Sequence, residues 1–207
     1  MNMHISYPDL NIKNYPDSSS SCNQESFVLN VLKEKTNGFF LEIGSGHPEI
    51  SNNTNLLENK FNWRGLALDT DENLVNLYNQ KRKSTCLKQN ALNFNYTDYF
   101  VNNDFPKQID YLQIDVDDTP RNANLLALIQ LPLQDYRFSV ITIEHDFVRD
   151  YTLEKMRDVQ RFILSSLDYE LVINGDSEDF WVDKRNVPQE NYWCLYSIGS
   201  FHPGYSR

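Results

Sequence analysis

Two glycines and a set of carboxylates carry the pattern in this chain that could do chemistry. Phe39-Phe40-Leu41-Glu42-Ile43 is a short apolar run holding one acid, and it leads straight into Gly44-Ser45-Gly46. Such a turn lets backbone approach a ligand closely, where a Cβ would obstruct it. A second apolar run, Gly65-Leu66-Ala67-Leu68, ends at Asp69. Asp69 follows the turn by about 20 residues, the interval expected for a ribose-binding carboxylate. Alternatively, Asp69 caps the helix that Glu72-Asn73 would open. The turn is not a dinucleotide fingerprint, because Glu49 stands where the third glycine would be needed, next to Pro48. A glycine turn with carboxylates at two strand ends suits a ligand bearing an amine, a ribose and an adenine. S-adenosylmethionine is such a ligand.

These side chains need elements to hold them. The runs at 39–43, 65–69 and 85–87 read as strands, as do Ile109-Asp110-Tyr111-Leu112-Gln113-Ile114 before Asp115 and Phe138-Ser139-Val140-Ile141-Thr142-Ile143 before Glu144. Helical spacing marks Gln24 to Lys33, ending at Asn37-Gly38. It also marks a short segment after the capping set Asn53-Thr54-Asn55, and one after Asp71 with Leu74, Leu77 and Tyr78 on a face. A fourth stripe holds Leu125, Leu126, Leu128 and Ile129, and a fifth, over 151–166, holds Leu153, Met156, Val159, Phe162 and Ile163. Runs at 169–173 and 179–182 read as closing strands, and 192–196 as one more strand or a packed tail. The acids between Asp176 and Asp179 read as a solvated turn. Alternating strands and helices imply a parallel sheet, and in such a sheet ligands bind outside the carboxyl ends of the strands. Glu42, Asp69, Asp115 and Glu144 all fall there.

The 207 residues suffice for one domain, over 21–207, preceded by an irregular lead-in over 1–20 with Pro8, Pro16 and a serine run. A net charge of −10 argues against a nucleic-acid partner, which would need clustered Lys and Arg. No apolar run has the length of a membrane span and no signal pattern opens the chain, so no membrane partner is expected. Three widely spaced cysteines, Cys22, Cys86 and Cys194, suggest reduced thiols and a cytoplasmic protein. The aromatic tail, with Trp181, Tyr192, Trp193, Tyr196, Phe201 and Tyr205, reads as core and edge packing, or as a sugar-stacking or homo-oligomer surface.

The block 37–46, the segment Ser51-Asn52-Asn53-Thr54, the block 110–117 and the block 136–146 together resemble class I methyltransferases of the FkbM type, over roughly residues 21–183. The resemblance implies a seven-stranded, mostly parallel Rossmann-like sheet with an antiparallel last strand and helices on both faces. It implies methyl transfer from S-adenosylmethionine to an oxygen of a sugar or other small metabolite. By this likeness Glu42, Gly44, Ser45, Gly46, Asn53, Asp69, Asn90, Ala91 and Asp115 would surround the cofactor. An acid commonly precedes the alanine where Asn90 stands. Read by itself, Asn90 is an ordinary turn residue. Rival readings are a cofactor-binding or scaffold protein without activity, and a nucleic-acid methyltransferase; the chain lacks the Asp/Asn-Pro-Pro-aromatic tetrad used to methylate base amino groups.

Asp115, Asp117, Asp118, Glu144, His145 and Asp146 form a second acidic set. Such oxygen-rich groups suit a divalent metal such as Mg²⁺. The separation of Asp115 and Glu144 is similar to that in macrolide-sugar O-methyltransferases, which by resemblance makes Asp115, Glu144 and His145 metal ligands, although an acid is usual where His145 stands. A sugar hydroxyl must lose its proton as the methyl transfers. His145 is the best candidate for the base, with Asp117 and Asp118 as alternatives. His47 could meet the methionine end of the cofactor or lie in an exposed loop.

Overall fold

β-branched and aromatic residues make up most of the first and fifth strands of the computed structural model, which describes residues 13–116, 120–147 and 150–196. The strands are β1 (Phe39–Ile43), β2 (Arg64–Asp69), β3 (Thr85–Lys88), β4 (Gln108–Ile114), β5 (Arg137–Glu144), β6 (Tyr169–Asn174) and β7 (Glu178–Asp183). They form one sheet in the order β3-β2-β1-β4-β5-β7-β6. β1 to β5 are parallel, and β7 runs antiparallel to both β5 and β6. The chain winds outward from β1 on one side and from β4 on the other. The crevice between their carboxyl ends is therefore the topological switch point, where ligands settle.

Among the described residues six α-helices cover the two faces: α1 (Gln24–Val31), α2 (Asn55–Phe61), α3 (Glu72–Lys81), α4 (Tyr96–Asn102), α5 (Ala123–Gln130) and α6 (Glu154–Ser166). Period-2 alternation decides which strand residues meet which helices. Phe40, Tyr111, Val140, Phe180 and Val182 pack with α1 and α2 through Phe27, Val28, Leu56 and Leu57. Their neighbours Leu41, Ile43, Leu112, Ile114, Ile141 and Ile143 pack with α4, α5 and α6 through Phe100, Leu128 and Leu164. α3 closes over β2 and β3 through Val75 and Tyr78. Each such side chain withdrawn from water contributes roughly 1.5–3 kcal/mol, so the two faces together carry the fold.

Several local expectations are corrected. α1 stops at Val31, because Lys33 and Glu34 turn through positive φ before Asn37 does. α6 buries Gln160 and Leu164, which the expected stripe omitted; of that stripe Leu153 is buried, Met156 and Ile163 are half-buried, and Val159 and Phe162 are exposed. α4 has no counterpart in the sequence reading; Asn95 caps it by accepting from Asp98 N. Of the two readings of residues 192–196 the packed tail holds and the strand does not: Trp193–Tyr196 is a short 3₁₀ turn, with Tyr192 and Leu195 in the core. The acids at 178 and 179 are buried, not solvated. The lead-in is tied down at its end, where Ser18 Oγ and Ser19 N donate to the buried Glu25 carboxylate. Phe201 and Tyr205 lie outside the described residues. Among the described residues no helix is long and apolar enough to cross a membrane.

Candidate functional site

The Gly44-Ser45-Gly46 turn is built by its neighbours on either side. Gly44 N and Ser45 N both donate to Leu68 O at the end of β2, at 2.9 and 3.2 Å. Gly44 has φ +80, and a Cβ there would sit 1.7 Å from the Asp115 carbonyl oxygen, so only glycine allows this wedge between β2 and β4. Gly46 has φ +56 and open space where a Cβ would project. Its N–H donates to Asp69 Oδ2 at 2.8 Å, while Asp69 Oδ1 accepts from Asp71 N at 2.9 Å. Each oxygen keeps a lone pair for a ligand. The helix cap is Asp71, whose Oδ1 accepts from Asn73 N and Leu74 N. Asp69 is thereby released from the capping role.

These groups face a cavity of about 480 Å³, within the range of small-molecule sites. Gly44, Ser45, Gly46 and Asp69 form one wall, Asn90 and Ala91 another, and Asn53 and Asp115 complete it. Asn53 is 5% exposed, and its Oδ1 has no hydrogen-bond partner. Asn90 Oδ1 accepts from Leu92 N at 2.9 Å, an Asx turn that presents the Ala91 edge.

Glu42 is the expected contact that does not line this cavity. It points into the α1 face, 1% exposed, and accepts from Asn52 Nδ2 at 3.1 Å and Thr54 Oγ1 at 3.0 Å. Thr54 is thus spent on Glu42 and does not cap α2; the Glu25 carboxylate does so from α1, accepting from Leu56 N. Burial pushes the Glu42 carboxyl up to about 7, opposed by the nearby Arg82 guanidinium. Arg82 is the residue that sequence reasoning missed. Its side chain is buried and donates to Glu58 Oε1 (2.9 Å), Pro48 O (3.0 Å), Asn52 Oδ1 (2.9 Å) and Thr54 Oγ1 (3.0 Å). It also lies 4.7 Å over the Tyr78 ring. Glu42 and Arg82 therefore clamp the 48–54 loop that carries Asn53 to the cavity wall. His47 serves the same loop, its Nδ1 accepting from Glu49 N and Ile50 N.

The second acidic set is divided by the sheet. Glu144 pairs across from Glu178 on the α1 face, and hydrogen-bonds Asp115. His145 turns to the α6 face. Its Nε2 is 3.5 Å from Asp179 Oδ1, and its Nδ1 accepts from Phe147 N. It lines a separate cavity of about 10 Å³, room for about one water, with Leu125, Met156 and Gln160. Burial would raise the Asp179 carboxyl, but hydrogen bonds from His145 and Arg161 hold it below its ordinary value. His145 consequently lines neither the cavity beside Gly44 and Asp69 nor the face that holds Glu144. Among the described residues no group of three His, Cys, Asp or Glu is placed to hold a metal ion. Asp117 and Asp118 lie outside the described residues.

No family model matches the chain, and no curated protein matches it in sequence. By fold it is similar to an O-methyltransferase from Bacillus cereus in complex with SAH, at 16% identity, covering 81% of this chain and 82% of that one with a TM-score of 0.50. It is also similar to the human methyltransferase 10 domain containing protein, at 14% identity, covering 86% and 87%, with a TM-score of 0.51. The seven-stranded sheet with antiparallel β7 is thus a Rossmann-like, class I methyltransferase fold.

Proposed function

We propose that this chain is an S-adenosylmethionine-dependent methyltransferase of the FkbM type, acting on a hydroxyl of a sugar or other small metabolite. The observation that carries the reading is the cavity at the carboxyl ends of β1 and β2, where Gly46, Asp69 and Asn53 meet. An anion-binding nucleotide site would place backbone N–H groups there; this wall instead offers acceptors, which suit ribose hydroxyls and an ammonium.

When bound, the cofactor supplies an electrophilic methyl group on a sulfonium. Asp69 would accept from the ribose hydroxyls with the lone pairs that Gly46 N and Asp71 N leave open. Asn53 would border the methionine end, and Gly46 would admit that end of the molecule at backbone contact distance. Ala91 and Leu74 would border the adenine. Most of the rate would come from holding donor and acceptor in line. The acceptor's proton would pass to a carboxylate on the cavity's side of the sheet, Asp115 or the expected Asp117 and Asp118, because His145 faces α6. No step is assigned to a metal. Of the two rival readings, a nucleic-acid methyltransferase is disfavoured by the net charge of −10.

Calorimetry with S-adenosylmethionine tests the proposal: saturable heat from the wild-type chain, lost in Asp69→Ala, is the expected result. Absence of heat at millimolar cofactor would overturn it.

A further inference from the structure

Beside that cavity the same sheet face carries a cluster of polar side chains that the proposed cofactor contacts do not use. Alternation places Gln113, Asp115, Thr142 and Glu144 on the α1 side, with Glu178 directly across from Glu144 and Thr142 directly across from Gln113. Asp115 and Glu144 are part-exposed and hydrogen-bonded to each other, and Asp115 also lines the cavity. Behind them, Glu178 is 3% exposed: Oε2 accepts from Gln24 Nε2 at 2.6 Å, and Oε1 has no hydrogen-bond partner. Gln113 is 0% exposed, and neither of its amide atoms has a partner.

Buried amide and carboxylate atoms that lack hydrogen bonds are costly, and carboxylates this close repel. Burial and the charge of Asp115 push Glu178 up to about 8, and burial with the Asp115 contact raises Glu144 as well. A metal would relieve this, yet His145, the third ligand expected beside Asp115 and Glu144, projects to the other face. A neutral hydroxyl brings one donor. A protonated amine brings three donors and a compensating charge, which matches carboxylates and an amide oxygen converging from three strands. The chain's net charge of −10 would draw such a ligand in.

We infer that the acceptor bears a protonated amine, and that Asp115, Glu144 and Glu178 seat this ammonium beside the methyl donor. The inference rests on the methyl-donor reading for its chemistry, but the cation seat itself can be tested separately. Titrating isotope-labelled wild-type protein with ethanolamine and with ethylene glycol, while following the Gln113 side-chain amide signals, compares a cation with its neutral counterpart. The expected result is saturable movement of those signals, with ethanolamine bound about tenfold more tightly, and a loss of about tenfold in Glu178→Gln for ethanolamine alone. Equal titration by the two probes, or unmoved Gln113 signals with ethanolamine, would overturn the inference, and the wild-type comparison stands even if the variant fails to fold. Calorimetry with S-adenosylmethionine on the same sample separates the two readings. Cofactor heat without amine selectivity removes the ammonium seat alone; amine selectivity without cofactor heat removes the methyl-donor reading and leaves the seat.

Discussion

Replacing Arg82 with Met keeps the length of the apolar stem and deletes the guanidinium. The side chain is fully buried, and four hydrogen bonds leave with it, to Glu58, Pro48, Asn52 and Thr54. Glu58 stays buried with the Lys83 and Ser84 N–H groups, at 2.8 and 2.9 Å, and the Ser84 side chain as neutral donors. Removing one partner of a buried ion pair costs about 3–5 kcal/mol, since the remaining charge is left uncompensated. For a chain of this size that loss corresponds to a fall of roughly 10 °C in melting temperature. Urea denaturation at neutral pH measures it, with an unchanged m-value showing that the unfolded states are comparable. Because the same bonds fasten the loop that carries Asn53, cofactor affinity should fall alongside stability. Arg82→Lys should recover little, as one ammonium cannot reach four acceptors arranged around a planar fork. A stability loss below about 1 kcal/mol for Arg82→Met would refute the view that this residue holds the loop.

Other expectations follow from the same geometry. Glu42 has a carboxyl raised by burial, to about 7 from 4.5, so the folded state holds its proton longer than the unfolded state does. Its contribution is therefore favourable below about 4.5 and is lost as pH rises through about 7. Relative to wild type, Glu42→Gln should gain roughly 3 kcal/mol across that window, measured by denaturation at several pH values; a constant difference would contradict the assignment. Gly44→Ala should lose cofactor binding and at least 1–2 kcal/mol of stability, from its positive φ and the collision with the Asp115 carbonyl; calorimetry showing native affinity would count against the wedge. His145→Ala should leave cofactor affinity unchanged and lower stability by about 1–3 kcal/mol, since Asp179 keeps Arg161; a lost affinity would bring His145 back to the cavity.

The sheet and its ligand-facing edge were legible because local composition specifies them. β-branched runs ending in acids, a glycine turn and Asp69 about 20 residues on require only short-range reading. What the sequence concealed is long-range. Arg82 finds its hydrogen-bond partners on the 48–54 loop and on α2, and no local pattern marks a lysine-arginine-lysine run as a buried clamp. Glu178 and Asp179 looked like a solvated acidic turn, yet each is met by a distant donor, Gln24 on α1 and Arg161 on α6. The placement of His145 on the face opposite Glu144 had a local signal: neighbouring residues at a strand end face opposite sides. The expected stripe on α6 counted apolar residues and missed that Gln160 occupies the inward position while Phe162 stays 75% exposed.

The central claim is that the glycine turn, Asp69 and Asn53 enclose a methyl donor. Backbone amide signals of the wild-type protein, followed during addition of S-adenosylmethionine, test it most directly. The account predicts saturable shifts at Gly44, Gly46, Asn53, Asp69 and Ala91, with Gly175, at the β6–β7 turn, unmoved. Shifts confined to other parts of the sheet, or none at millimolar cofactor, would contradict it.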